Sequence, residues 1–519
     1  MQEDTVGSVL AASMARAGDR VALRARGEVR THRELLENAS RFANALTGRG
    51  LVPGDHVALM VTDRVEAVEA YVGCLLGGFP AIHVNDRLVP REIQAILAEA
   101  DARAFVYTGE LAPKLADLGQ LAELAAIGSV IGIGEQAAAD QLDWSRLLSA
   151  ASSRRPDVER AGSDLTIIGY TSGTTDQPKG VMHTQRSMLR ILRHMPVHFD
   201  IRPRSKCAFT GTLSFVAGIW GVLLPHIYLG GEISFMAGVA PDEWFDRMVR
   251  EQSNFTYVPT PLAGAFVEQV RRRPEVLQTL RIAMHSGSKM PADTIRAVVE
   301  VVGARFGESY GMTETGAPVT RTEDLDWTAA CEADDVYAST GRPVHIADVS
   351  IIGADGQTLP TGETGEITVS SETQFAGYYK RPELTEEAVV GGRLRTGDIG
   401  RLDAAGYLYV TDRAKDMIVS GGMNVYPAEV EAALADIPGL TEVAVFGVPD
   451  ARWGETVVAV AVSSDPSLDE AALIGAARER VASFKKPTSV RFVDVLPRTA
   501  SLKIDKPALR RQWTTEEND

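Results

Sequence analysis

The sequence predicts an α/β protein with a large N-terminal part, made of two α/β layers plus a small β unit, and a small α+β C-terminal part. Three observations carry this reading. Helix-period and strand-period segments alternate as far as about Glu314. From about Ala338 short strands are broken by turn signals. After Asp412 a compact α+β pattern can be drawn.

Leu35, Ala39, Phe42 and Leu46 share one face of a helical repeat, and Val57-Ala58-Leu59-Met60-Val61 reads as a buried strand. A helix near Ala67 to Leu76 precedes the short strand Pro80 to Val84. Strands alternating with helices stack as α/β layers. The polar segment Ser152 to Gly162 reads as a connection, and a second α/β stretch runs from Leu165 to about Glu314. Turn signals at Asp355-Gly356, Gly362 and Gly406 predict an antiparallel sheet. Pro427 opens a helix with Val430, Ala433 and Leu434 on one face. Strands follow near Val443–Val448 and Val457–Val462, then a helix over about Asp469–Phe484 and a strand over Val490–Val495. The tail after Trp513 is polar and is expected to fray.

The 519 residues are 45% hydrophobic and 24% charged, which suits a folded chain of about two to four units. The net charge, 53 − 69 = −16, argues against nucleic acid as the main partner, because phosphate backbones recruit basic surfaces. Cys74, Cys207 and Cys331 stand far apart with no CxxC pair, so neither a zinc site nor a disulfide framework is expected. Each cysteine reads as a small buried hydrophobe in a reducing compartment. Met1-Gln2-Glu3-Asp4 is not followed by an apolar core, and Pro225 and His226 interrupt the most apolar stretch, Gly218 to Gly230. No signal peptide and no membrane span are expected, and the location is read as cytoplasmic.

The apolar strand Ile167-Ile168-Gly169-Tyr170 runs into Thr171-Ser172-Gly173-Thr174-Thr175-Asp176-Gln177-Pro178-Lys179-Gly180. Hydroxyls and exposed amides donate to phosphate oxygens, glycines permit close approach, and a lysine supplies a point charge. Ser, Thr and Gly also dominate ordinary loops, so the segment alone fits both readings. It is not the GxxxxGK[ST] loop, because Gly180-Val181 follows Lys179, which disfavours a P-loop kinase.

The segment resembles the Thr-Ser-Gly-Thr-Thr-Gly-x-Pro-Lys-Gly signature of the AMP-binding, or adenylate-forming, superfamily. That superfamily includes acyl-CoA synthetases, luciferases and peptide-synthetase adenylation domains. Further matches appear in the family's order: Tyr310-Gly311-Met312-Thr313-Glu314, Thr396-Gly397-Asp398, and Asp412-Arg413-Ala414-Lys415-Asp416 followed by Ser420-Gly421-Gly422-Met423-Asn424. The last is Pro497-Arg498-Thr499-Ala500-Ser501-Leu502-Lys503, and together the matches cover nearly the whole chain.

The resemblance implies that Thr171, Ser172, Gly173, Thr174, Thr175, Lys179 and Tyr310 bind ATP or acyl-AMP. Thr313 would hold the α-phosphate and Glu314 would hold Mg²⁺, a hard cation suited to oxygen ligands. Asp398 and Arg413 would face the ribose. Lys503 would stabilise charge as a carboxylate attacks the α-phosphate. Lys415 would be the hinge between a domain of residues 1–412 and a mobile domain of residues 413–519. Gly421 and Gly422 would line a tunnel for the pantetheine arm of coenzyme A, where a thin thiol passes close to backbone.

The same resemblance sets the acyl group near Phe215, Val258-Pro259-Thr260, Ser286-Gly287-Ser288 and Gly316-Ala317. Phe215 stands where many relatives carry histidine, and an aromatic gate is expected. These residues are apolar or small, so a monocarboxylic acid with a bulky apolar, cyclic or aromatic body is expected. The implied reaction is acyl-CoA formation through an acyl-adenylate, with domain rotation between the two halves. A carrier-protein phosphopantetheine is an alternative thiol acceptor. Nothing in the sequence calls for luciferase-like oxidation. A non-catalytic nucleotide-binding relative stands against the intact Glu314, Asp398, Arg413 and Lys503.

Two departures touch the ATP half-reaction. Asp176 stands where the family loop has glycine, and Leu502 where glycine precedes the lysine. A carboxylate about 5 Å from an outer phosphate, at an effective dielectric of about 20, costs about 3 kcal/mol per charge pair before cations offset it. A leucine held at positive φ costs roughly 1–2 kcal/mol. Two readings stand: adenylation is impaired and the chain acts mainly on acyl-AMP supplied by a separate adenylating enzyme, or Asp176 tolerates the loop geometry with its side chain turned to solvent and adenylation is intact.

Overall fold

The computed structural model describes residues 4–118, 127–134, 142–171, 178–328, 331–413, 416–420, 423–450, 453–499 and 503–516. Ser172, Gly173, Thr174, Thr175, Asp176, Lys415, Gly421, Gly422 and Leu502 lie outside the described residues. The chain forms two compact units. Unit one holds residues 1–349, 369–394 and 405–407, and unit two holds 350–368, 395–404 and 408–519.

Strands are numbered in chain order. In unit one a seven-stranded sheet runs β7 (Leu142–Asp143), β6 (Ser129–Ile133), β5 (Ala102–Thr108), β3 (His56–Met60), β4 (Ala81–His83), β8 (Leu165–Thr171) and β9 (Lys179–Thr184). Its pairings are parallel except for the β8–β9 hairpin. A nine-stranded sheet runs β16 (Arg342–Pro343), β15 (Thr320–Arg321), β14 (Phe306–Tyr310), β13 (Ile282–Ser286), β12 (Phe255–Tyr257), β10 (Lys206–Phe209), β11 (Glu232–Phe235), β1 (Val21–Ala25) and β2 (Glu28–Thr31). It is parallel from β14 to β1 and antiparallel at both ends. Parallel strands need crossover connections, which is why helices separate them in sequence.

The helix over His32–Gly48 starts on a capping box. Thr31 accepts from the Glu34 amide, and the Glu34 carboxylate accepts from the Thr31 amide. Its Leu35, Ala39, Phe42 and Leu46 are fully buried, as their spacing requires. The helix over Val65–Gly77 is apolar on nearly every side and buried. The two helices touch at Gly73, where an added Cβ would lie 2.7 Å from Phe42 Cδ1 and 2.8 Å from the Ala39 carbonyl oxygen. The stretch Gly218 to Gly230 folds into short helical segments over residues 216–228. Among the described residues, no helix is long and apolar enough to cross a membrane. All three cysteines are free, and Cys74 and Cys207 are buried.

The chain passes between units along β17 (Ala347–Ile352), β18 (Gly365–Ser371) and β20 (Arg393–Leu402), with β19 (Val389–Val390) in unit one. In unit two β20 pairs antiparallel with β21 (Leu408–Arg413). A second sheet runs β23 (Met423–Val425), β22 (Ile418–Ser420), β25 (Gly454–Ser463) and β24 (Leu440–Asp450), with β26 (Ser489–Phe492) beside β25. The helix Pro427–Leu434 starts on its proline and buries Val430 and Leu434.

Three boundaries differ from the sequence reading. The next helix ends at Arg480 rather than near Phe484, because Val481 takes extended backbone. Strand β26 stops at Phe492, the last residue paired to β25. The helix Lys506–Glu516 continues three residues past Trp513, and the rest of the tail lies outside the described residues. Trp513 is 2% exposed, meets Phe446 edge-on and lies under the Arg491 guanidinium, 3.8 Å from the ring centroid. Leu509, also 2% exposed, joins Trp513 in the same apolar cluster, so two buried side chains anchor a largely polar segment.

Candidate functional site

The β8–β9 ladder sets Thr171 opposite Lys179, so both ends of the hydroxyl-rich loop meet where the ladder finishes. Lys179 Nζ lies 5.3 Å from the centroid of the Tyr378 ring. The Tyr378 hydroxyl donates to Glu314 Oε1 at 2.9 Å. Main-chain bonds from Tyr379 to Gly180 and from Phe375 to Glu314 hold these segments together. Burial, and then the Glu314 carboxylate, push the Tyr378 phenol well above its ordinary range, so it remains a donor.

The turn that carries Thr313 and Glu314 is fixed from both sides. Thr315 Oγ1 accepts from the Met312 amide, and His183 Nε2 donates to the Thr313 carbonyl at 2.9 Å. Burial lowers His183 to about 4, leaving a neutral ring. Gly316 has φ +70°, and a Cβ there would lie within 2.6–2.9 Å of Ile191, His183 and the Thr373 carbonyl. Only glycine fits. Tyr310 ends β14 and is half-buried, and Ala317 is buried.

A polar relay stands at the ends of β13 and β14. His285 and Glu308 are cross-strand partners, with Nδ1 and Oε2 2.6 Å apart and both side chains buried. His285 Nε2 lies 3.0 Å from Thr260 Oγ1, which lies 2.9 Å from the exposed Ser288 hydroxyl. Burial raises the Glu308 carboxyl and His285 partly offsets this. The motifs singled out Thr260 and Ser288 but not His285 and Glu308. The one available signal is adjacency, since His285 precedes Ser286 and Glu308 lies just before Tyr310.

The other acyl-region residues divide. Gly287 is exposed at φ +83°. Val258 is fully buried in the core with Ala208, Phe245 and Phe266, so its side chain lines no open space. Phe215 is half-buried, with the Arg87 guanidinium carbon 5.2 Å from its ring centroid. A cation thus stands beside the expected gate, which the sequence pattern did not reveal. Arg87 also lines a cavity of about 480 Å³ with Arg26, Asp63, Asp86 and Arg247. None of the sequence-selected residues lines that cavity.

In unit two, Asp398 and Arg413 are cross-strand partners, with Oδ1 and Nε 3.1 Å apart. Asp412 accepts from the Arg413 amide and, through its other oxygen, from the Ala428 amide, tying the end of β21 to the helix that starts at Pro427. Lys503 is exposed, and its carbonyl accepts from the Thr499 amide at 2.8 Å. Ser420 pairs with Met423 across the positions of Gly421 and Gly422.

This donor set fits phosphate and a hard cation. In unit one, Glu314 brings a buried carboxylate oriented by Tyr378, and Lys179 brings an ammonium. Carboxylate oxygens suit Mg²⁺ better than a soft metal.

A family model described as AMP-binding enzyme matches residues 10–379, and one described as AMP-binding enzyme C-terminal domain matches residues 429–503. The feruloyl-CoA synthase of an Amycolatopsis species is 34% identical, covering 95% of this chain and 96% of its own. The long-chain-fatty-acid–CoA ligase FadD13 of Mycobacterium tuberculosis is 33% identical, covering 93% of each. The o-succinylbenzoate CoA synthetase of Bacillus subtilis, solved with the acyl-adenylate OSB-AMP, superposes with a TM-score of 0.85 at 26% identity, covering 99% of this chain and 98% of that one.

Proposed function

The chain belongs to the AMP-binding enzyme family and is an acid–thiol ligase of its acyl-CoA synthetase branch, and from that premise we propose how its residues divide the work. In the first half-reaction a carboxylate oxygen attacks the α-phosphorus of ATP, and pyrophosphate leaves. In the second, the thiolate of CoA attacks the acyl carbon, and AMP leaves. Lys179 and the hydroxyls of the loop from Thr171 hold the phosphates, and Thr313 holds the α-phosphate. Glu314 holds Mg²⁺, which neutralises phosphate charge when bound. Asp398 accepts from the ribose hydroxyls, and Arg413 orients that carboxylate. Lys503 acts only in adenylation. Lys415 is the hinge of a domain alternation between residues 1–412 and 413–519, and Gly421 and Gly422 pass the thiol.

The observation that carries this reading is the chain Lys179–Tyr378–Glu314, a cation, a phenol and a carboxylate gathered where the loop ends meet.

The acid is read as a monocarboxylic aromatic or cyclic acid bearing a hydroxyl or ether group. The relay Glu308–His285–Thr260–Ser288 supports this, since it ends in hydroxyls that can pair a polar substituent. So does the likeness to a feruloyl-CoA synthase. Asp176 and Leu502 support a slow adenylation half and a supply of acyl-AMP from a separate enzyme. ATP–pyrophosphate exchange with hydroxycinnamic and benzoic acids, run beside thioester formation from the synthetic adenylates, tests both points. Weak exchange with brisk thioester formation is expected, with exchange partly recovered by Asp176→Gly, Leu502→Gly. Brisk exchange in the unmodified chain removes the impairment and leaves the ligase reading intact. Comparing CoA with a phosphopantetheinylated carrier protein identifies the acceptor.

A further inference from the structure

The helix over Gln185–His198 carries His194 and His198 one turn apart, and His345 stands on the segment between β16 and β17. All three belong to unit one. Their ring centroids are 6.2, 5.2 and 5.1 Å apart for the pairs 194–198, 194–345 and 198–345. One ring nitrogen from each lies within 4.8 Å of the others. His198 is 2% exposed, and among the described residues its Nε2 is buried without a hydrogen-bond partner. A buried ring nitrogen left unpaired is costly, and a bound ion is one of the arrangements that satisfies it.

We propose that His194, His198 and His345 bind a divalent transition-metal ion of the zinc type, which fastens the end of the helix to the segment before β17.

The chemistry is selective. Three imidazoles suit Zn²⁺, Cu²⁺ or Ni²⁺ and offer nothing to Mg²⁺ or Ca²⁺, which want oxygen. Histidines at i and i+4 project from one helix face, and a distant third completes a three-nitrogen set with room for water as fourth ligand. Metal–nitrogen bonds of about 2.0–2.1 Å place tetrahedral ligands about 3.4 Å apart, so the nitrogens must close by roughly an ångström. The exposed His345 and half-buried His194 can turn to do this, while buried His198 supplies the fixed point.

The surrounding charges set the affinity. Arg321 lies close to His198, and its guanidinium donates to the carbonyls of Val197 and Thr322. Arg190 and Arg193 act on His194, and Glu372 is the carboxylate that faces it. These cations oppose a dication, so binding rests on the three nitrogens rather than on a general negative field.

The test uses the full chain, stripped with a chelator and titrated with ZnCl₂ by calorimetry. Co²⁺ serves as a spectroscopic reporter, read by its visible ligand-field bands. One Zn²⁺ per chain is expected, with a rise in melting temperature. Exposed His345→Ala and half-buried His194→Ala should each weaken binding at least tenfold while melting normally without metal, since even outer-shell partners are worth about that much. His198→Ala is avoided as the sole probe, because its burial confounds binding with folding. Absence of stoichiometric Zn²⁺, or Zn²⁺ binding weakened less than tenfold in both variants, overturns the site.

Discussion

Arg413 Nε lies 3.1 Å from Asp398 Oδ1, and the two residues face each other across β20 and β21. The carboxylate is 5% exposed while the guanidinium is half open to solvent. The pair is therefore assembled by strand register before any nucleotide arrives. Asp398→Asn should raise the apparent Kd for AMP about 10–100-fold, the range expected when charge-assisted hydrogen bonds are weakened. Arg413→Lys should recover part of what Arg413→Ala loses. Unchanged AMP affinity in Asp398→Asn would place the ribose elsewhere.

Glu314 and Tyr378 make a second coupled pair. Tyr378→Phe removes the donor to a carboxylate that is 7% exposed. The Mg²⁺ concentration for half-maximal ATP–pyrophosphate exchange should rise about tenfold, the usual effect of losing a partner that orients a metal ligand. Glu314→Gln should lower exchange further. If Tyr378→Phe changes only the melting temperature, its role is packing.

Under the proposed division of roles, Lys503 and Gly422 serve different half-reactions. Lys503→Ala should abolish acyl-AMP formation, a loss of at least about 100-fold, yet spare thioester formation from supplied acyl-AMP. Gly422→Leu should slow thioester formation and leave acyl-AMP binding near its starting value. Single-turnover assays of each half resolve the two, and a parallel loss in both halves removes the division of roles.

The relay ending at Thr260 and Ser288 predicts a specificity change. Thr260→Val with Ser288→Ala should reduce kcat/KM for hydroxylated aryl acids about tenfold or more relative to their unsubstituted analogues. Glu308→Gln should act in the same direction, more weakly, by loosening His285. An equal fall for substituted and unsubstituted acids would make the relay structural only.

Stability should fall on mild acidification. Burial lowers His32, His83, His183 and His226 to about 4. The unfolded chain, with ordinary imidazoles near 6.5, then binds more protons than the folded one between about pH 6.5 and 4. Their stabilisation is complete above that window and is lost through it, on the order of 1–3 kcal/mol for each ring. Asp63, pushed up to about 6 by burial, and Glu69, pushed up to about 7 by burial against Asn38 and Arg30, work in the opposite direction. Urea midpoints measured from pH 7.5 to 4.5 should still decline. His83→Gln should flatten the curve, because that ring is held neutral between the Tyr71 hydroxyl and the Ser214 carbonyl. A midpoint that rises on acidification would show that the two carboxyls dominate.

Local periodicity and turn chemistry made much of this fold legible before any coordinates. The Leu35–Leu46 face, the β3 and β4 segments and the proline start at Pro427 depend on neighbours a few residues away, and such patterns survive into structure. The motifs that single out Lys179, Glu314, Asp398 and Arg413 were visible in the sequence as well, because nucleotide-binding signatures are written in short contiguous runs. Tertiary structure alone decided which side chains stand next to them. Tyr378 reaches Glu314 across 64 positions, and His285 meets Glu308 only because β13 and β14 pair in one register and not the next. A one-residue slip would turn both away from each other. Val258 and Arg87 show the same limit from opposite sides: one named residue is sealed in the core, and one unnamed cation stands beside Phe215. His345 joins His194 and His198 from beyond β16. Contact at that separation is set by how whole layers pack, and no local pattern in the chain encodes it.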